Sequence, residues 1–122
     1  MAVTWADLRE WVLALPGGQE AYVENWGDWT LRCGAKMFVV GRPDASTCTV
    51  KASKEDQAEL IGAAPDVYSA APYVGRFGWV KVELAAADPE ELRQVVVEAW
   101  RRTAPKKLLK EYDSAQGQGD QG

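Results

Sequence analysis

The 122-residue sequence contains no histidine, which removes the side chain best matched to proton transfer near neutral pH and the commonest metal ligand. Histidine-dependent triads, acid–base pairs and metal sites are therefore excluded. Neither GxSxG nor SxxK occurs to activate a serine. The phosphate loop GxxxxGK is also missing. We expect a protein that is not an enzyme, with no catalytic residue and no cofactor.

Cysteine is scarce and long apolar runs are absent. Cys33 and Cys48 lie in predicted strands without CxxC spacing or other ligands nearby, so we expect two buried reduced thiols and no metal site. No apolar run approaches the ~20 residues that span a bilayer. The first residues also lack the basic start and apolar centre of a signal peptide. We expect a cytoplasmic monomer that makes no contact with a membrane.

Acidic residues outnumber basic ones, and the charge is unevenly distributed. The chain has 18 acidic and 14 basic residues, for a net charge of -4, yet residues 101–110 (RRTAPKKLLK) hold five bases and no acid. The acidic remainder argues against nucleic-acid binding over the whole surface, so any such contact must be local. In 101–110, the bases either contact a partner or stabilise the negative end of a helix dipole.

The pattern of apolar residues predicts one α+β domain over 1–112 and a disordered tail over 113–122. Thr4 and Asp7 resemble a capping box, and Ser53 and Asp88 are typical helix N-caps. Between residues 20 and 51, four β-rich segments are joined by connections too short for a helix, which favours an antiparallel meander. Residues 65–78 have the composition of an irregular connection.

The predicted order is helix, four strands, helix, strand, helix. It favours a two-layer sandwich with an antiparallel sheet of about five strands and the helices on one face. The other face is then accessible. Alternation puts Trp29, Leu31 and Cys33 on one side of their strand and Thr30 and Arg32 on the other. The six tryptophans are expected mainly in the core.

The segment Gly75-Arg76-Phe77-Gly78 matches the GxxG pattern of loops that clamp a nucleotide backbone in KH domains. Those loops join two helices, whereas this one leads into a predicted strand. The glycines therefore favour a plain turn. The next strand alternates, with Val80 and Val82 expected in the core and Trp79 and Lys81 on the opposite face.

Several stretches in one order resemble the MmcQ/YjbR family of small bacterial proteins, from about Trp5 to Tyr112. They are LPGGQEAY at 15–22, GAKMF at 34–38, TVKAS at 49–53, YVGRFGWVKVEL at 73–84 and a last helix ending WRRTAPKKL. The resemblance implies a fold similar to that of CyaY/frataxin and a DNA-binding function through a double-wing motif. It marks Gly34, Lys36, Phe38, Lys51 and Trp79. The chain departs from the family pattern in its GxxG segment ahead of Trp79.

Two functions stay open from the residues. In the first, the accessible sheet face binds DNA weakly and in a salt-sensitive way, with cations on phosphates and an aromatic ring on a base. The candidate residues for that contact are Arg32, Lys36, Lys51, Arg76, Trp79 and Lys81. In the second, the same face, with Trp79 and Trp26, receives a protein partner or a small ligand.

Overall fold

The computed structural model describes residues 3–121, with side chains through residue 115. A 3-10 turn, Val74–Phe77, precedes the last strand. Within residues 3–121 there are four helices, α1 (Trp5–Leu13), α2 (Lys54–Ala63), α3 (Pro89–Thr103) and α4 (Lys106–Gln121). The same residues contain six strands, β1 (Gly18–Val23), β2 (Asp28–Cys33), β3 (Lys36–Gly41), β4 (Thr47–Val50), β5 (Tyr68–Ala70) and β6 (Val80–Glu83).

Local capping sets where three of the helices begin, as the sequence predicts. The Thr4 hydroxyl accepts from the Asp7 backbone N–H, and the Asp7 carboxylate accepts from the Thr4 N–H, which completes a capping box. Ser53 and Asp88 cap α2 and α3 in the same way through single side-chain bonds. Pro89 then occupies the first turn of α3, where a missing N–H costs nothing.

The strands form one antiparallel sheet in the order β1-β2-β3-β4-β6-β5. The meander of the first four strands is confirmed. The α+β class is also confirmed, with six strands rather than about five. The additional strand, β5, lies at the edge beside β6, in the segment that we expected to be irregular. Its three residues carry too little pattern to reveal a strand that pairs only after folding.

The register divides the sheet into an inward face and an open face. One row of mutually paired residues points toward the helices, comprising Glu20, Leu31, Val39, Val50, Val80 and Ala70. The four central members of this row are 0% exposed. Helices α1 and α3 pack against each other and cover this side. Because side chains alternate along strands, the next row must point away from the helices.

Tryptophans attach the helices to the sheet. Trp5 lies over Gly41 of β3, and its indole Nε1 donates to Glu20 of β1 at 2.7 Å. Trp100 of α3 is fully buried and donates its Nε1 to the Pro16 carbonyl at 3.0 Å. The expectation of a mostly buried set holds only in part, because Trp26 is 52% exposed.

A bulge in β3 brings an extra apolar side chain into the core. Leu31 pairs with Val39 but Arg32 pairs with Met37, so Phe38 lies between the two pairs. Phe38 and Val39 are both fully buried. The bulge therefore adds to the core beneath α3 without disturbing the alternation of β2.

The C-terminal region departs from expectation. Helix α4 follows Pro105 and is additional to the three helices of the predicted order. Its Leu108 and Tyr112 pack on the core, the latter edge-on to Trp100. The disorder expected for 113–122 falls mostly on residues whose side chains lie outside the described part, and it stays a prediction. No helix among residues 3–121 has both the length and the apolar character needed to cross a bilayer.

The contact between Trp5 and Gly41 of β3 predicts how a substitution at Gly41 changes the free energy of unfolding. A Cβ added at Gly41 would lie 2.9 Å from the Trp5 ring, which is held by burial and by Glu20. Gly41→Ala should therefore lower the free energy of unfolding by about 1–3 kcal/mol in denaturant titration. The matched control is Gly62→Ala in α2, where nothing lies within 4 Å and a gain of about 0.5–1 kcal/mol is expected. Equal stability of the Gly41 variant and wild type would contradict this packing.

Burial of the two thiols predicts that they react slowly with reagents while the protein is folded. Both cysteines are free and buried, and burial raises the pKa of Cys48 to about 12. At pH 8 roughly one Cys48 in ten thousand is a thiolate, and that fraction rises about tenfold per pH unit below the pKa. The Cys33→Ser variant should resist a disulfide-exchange reagent while folded and react within minutes in guanidinium. Rapid labelling of the folded variant would show that Cys48 is accessible.

Candidate nucleic-acid interface

The face of the sheet opposite the helices contains the predicted contact residues Arg32 and Lys81. Its central row comprises Ala21, Thr30, Val40, Thr49, Lys81 and Ser69. Arg32 lies in the adjoining row, paired with Gln19 and Met37. In the described part of the chain, the helices pack on the other side, so this face stays open.

Arg32 is held in place by its neighbour on the same strand. Thr30 is 0% exposed, and its hydroxyl donates to the Ala21 carbonyl at 2.9 Å. The same oxygen accepts from Arg32 Nε at 2.7 Å. The bond orients the guanidinium along the sheet and leaves its two terminal nitrogens for a ligand, in the fork geometry that suits a phosphate.

Register places the other candidate residues at one end of the sheet. Lys36 begins β3 at the β2–β3 hairpin and is exposed. Lys51 follows β4 and Trp79 precedes β6 at this same end, because Val50 and Val80 are paired. We call Arg32, Lys36, Lys51, Arg76 and Lys81, together with Trp79, the basic end. Across it, neighbouring strands are spaced by about 4.8 Å.

The connection from β5 to β6 contains Arg76, and side-chain hydrogen bonds from Gln57 hold its backbone in place. Gln57 of α2 donates its side-chain amide to the carbonyls of Gly75 and Trp79, each at 2.8 Å. Gly78 has φ +106°, and an added Cβ would lie 2.5 Å from the Ala52 carbonyl oxygen. The turn interpretation is therefore correct, and the GxxG segment joins two strands rather than two helices. Arg76 itself is exposed, with its guanidinium 4.8 Å from the Phe77 ring centroid.

The cations of the basic end are free of carboxylate partners within the described residues. The salt bridges among the described residues involve other bases, namely Arg9, Arg42, Arg101 and Arg102. The acidic positions of the open face, Asp28 and Glu83, lie toward the opposite end of the sheet, and Asp28 is paired with Arg42. Positive charge is therefore concentrated at one end of a chain that is acidic in total.

Trp79 and Lys51 lie at the margins of this surface. Trp79 is half-buried and is not part of the described apolar cluster beneath the helices. Lys51 also borders a groove of about 350 Å³ between α2 and α3, so it sits between the two layers. Phe38, which the family resemblance marks, is a core residue and contributes no contact surface.

The basic segment 101–110 has mainly a structural role at its start. Arg102 pairs with Asp56 of α2, and not with Glu98 one turn earlier on α3. Arg101 pairs with Glu98 and Asp113 and lies over the Tyr112 ring. These contacts join α3 to its neighbouring helices and favour the structural interpretation of the two arginines.

Sequence reasoning missed several residues of this surface. Tyr73 and Phe77 are 94% and 61% exposed on either side of the GxxG glycine Gly75. Aromatic side chains are generally well buried, and nothing in the local sequence marks these two as exposed. Thr30 and Gln57 support the site through bonds that depend on the fold. Within the residues described, no group of acidic or thiol side chains could hold a metal ion.

Comparison with known proteins agrees with this architecture. Uncharacterized proteins of Mycobacterium tuberculosis and Mycobacterium bovis are 26% identical over 127 aligned residues, covering 89% of this chain and 95% of theirs. The crystal structure of the Deinococcus radiodurans protein DR2400, with its DUF419 domain, superposes with a TM-score of 0.74. It is 20% identical, over 88% of this chain and 86% of that one, and so supports the fold alone. The family model described as YjbR matches residues 13–102, and the chain belongs to the YjbR family.

Proposed function

We propose that this protein is a noncatalytic module that binds the phosphate backbone of nucleic acid through the basic end of its open sheet face. The observation that carries the proposal is the clustering of cations that have no carboxylate partner among the described residues. DNA is the polymer that the family resemblance implies. The family resemblance also implies a fold similar to that of CyaY/frataxin, and this stays a prediction.

Each contact has a defined chemical task. The terminal nitrogens of Arg32 suit two oxygens of one phosphate, since Thr30 already holds its Nε. Lys81 is in the neighbouring row three strands away, about 14 Å across the sheet at the usual strand spacing. The two side chains therefore reach different phosphates. Such contacts position a nucleic acid without reading its sequence.

The net charge of -4 is compatible with local binding. Exposed charges farther apart than about 8 Å are largely screened at physiological ionic strength. Asp56, Glu59, Glu91 and Glu98 border the groove between α2 and α3, which Lys51 also borders but Arg32 and Lys81 do not. A phosphate at Arg32 is therefore affected mainly by the basic end, and the attraction is weak and sensitive to salt.

Removing two of these charges tests the proposal. The Arg32→Gln/Lys81→Gln variant should bind duplex DNA of mixed sequence about tenfold or more weakly at low ionic strength. The slope of log K against log salt should fall by about 2, because each lost phosphate contact removes about 0.9. Fluorescence anisotropy across a salt series measures both quantities, and circular dichroism checks that the variant is folded.

The control is Arg93→Gln, which removes one positive charge from an exposed position on α3. Its affinity and salt slope should equal those of wild type. If neither duplex nor single-stranded DNA binds wild type at low ionic strength, the proposal fails. The protein-interaction function then becomes the better hypothesis. It is favoured by the exposed Trp26 and Tyr22 at the other end of the sheet, 52% and 49% exposed.

A further inference from the structure

Two large aromatic rings project from the loop that continues the basic end. Tyr73 is 94% exposed and Phe77 is 61% exposed, the two highest values among the described large hydrophobic side chains. They lie at the two ends of a short segment that includes the 3-10 turn. Exposed rings of this size are unfavourable in water, and neighbouring exposed rings mark an interaction site more often than isolated ones do.

The backbone under Tyr73 is strained. This residue has φ +63° and ψ -55°, and the Val74 N–H donates to the Pro72 carbonyl at 2.6 Å. The geometry is a γ-turn with positive φ, which is rare and costly for a residue with a side chain. Tyr73 is the only non-glycine residue with positive φ in the described part of the chain. Strain of this kind persists where the surrounding structure holds it, and it is concentrated at functional sites.

Hydrogen bonds hold the backbone of the Tyr73–Phe77 loop, while the two aromatic rings are exposed. Gln57 bonds two of its carbonyls, and the Gly75 and Gly78 N–H groups bond to Ala71 and Gly75 within the loop. Gly75 is buried against Ala70, so the turn is seated on β5. The exposed rings are therefore presented on a rigid support, which reduces the entropy lost when a ligand orders them.

We infer that the Tyr73–Phe77 loop stacks unpaired bases of a single-stranded nucleic acid whose backbone follows the basic end. The inference rests on the proposed function and adds the class of polymer that it prefers. Arg76 lies over one face of the Phe77 ring, which puts a cation next to the stacking surface. An aromatic face beside a cationic track is the usual combination for single strands, because every base has a π-face.

The geometry favours a single strand over a duplex. In a duplex the base faces are covered by neighbouring bases, so exposed rings gain little unless the stack is opened. The cations beside the loop have no carboxylate partner among the described residues, which favours a polyanion over an apolar protein surface. The occupant is therefore a flexible polyanion with exposed aromatic planes.

The test compares two polymers and two kinds of variant. Oligodeoxythymidine of about 15 nucleotides, within the range of site sizes for single-strand binders, and a duplex of equal length are titrated by fluorescence anisotropy. Wild type should bind the single strand more tightly. Tyr73→Ala/Phe77→Ala should lower single-strand affinity about tenfold or more and change duplex affinity less than twofold, since base stacking on an aromatic ring is lost.

The matched control is Trp26→Ala, which removes an exposed ring from the opposite end of the sheet and should change neither affinity. Quenching of intrinsic fluorescence by the single strand, lost in a Trp79→Phe variant, would place the polymer beside the loop. Equal loss of both affinities in Tyr73→Ala/Phe77→Ala, or no loss, would overturn the inference. If Arg32→Gln/Lys81→Gln still weakens binding in that case, the phosphate-binding proposal stands without it.

Discussion

One-sided burial of the sheet is the constraint on which the other features depend. The inward row that includes Leu31, Val39 and Val50 is fully buried beneath α1 and α3. In strands, burying one set of residues turns the intervening set to the other face. The described helices pack on the buried side, so Arg32 and Lys81 stay accessible. The surface for binding is thus a consequence of where the apolar residues must go.

The separation of charge follows from the same arrangement. Carboxylates such as Asp7 and Asp88 cap helices, and Glu20 bonds Trp5 and Arg9 on the helix side of the sheet. These acids are used within the helix layer or at its margins. The cations of the basic end pair with no carboxylate among the described residues. The negative net charge of the chain does not reveal this local positive charge. Net charge therefore describes solubility better than it describes this site.

The open face and its loop combine fixed and exposed parts. Thr30 orients Arg32, and Gln57 ties the loop to α2, so the polar groups are positioned before any ligand arrives. Tyr73 and Phe77 remain exposed above that support. The relatives in the mycobacteria are uncharacterized, so the chemistry of these side chains is the basis for assigning a role.

The helix starts at Thr4, Ser53 and Asp88, the four-strand meander and the division of β2 into two faces could all be predicted from the residues. These depend on caps, short connections and alternation, all of which act within a few residues. Three other features could not be predicted: β5 joins the edge of the sheet, Arg102 pairs with Asp56, and the basic end lacks carboxylate partners among the described residues. Those outcomes depend on contacts between residues far apart in the chain, and only the folded backbone sets their distances.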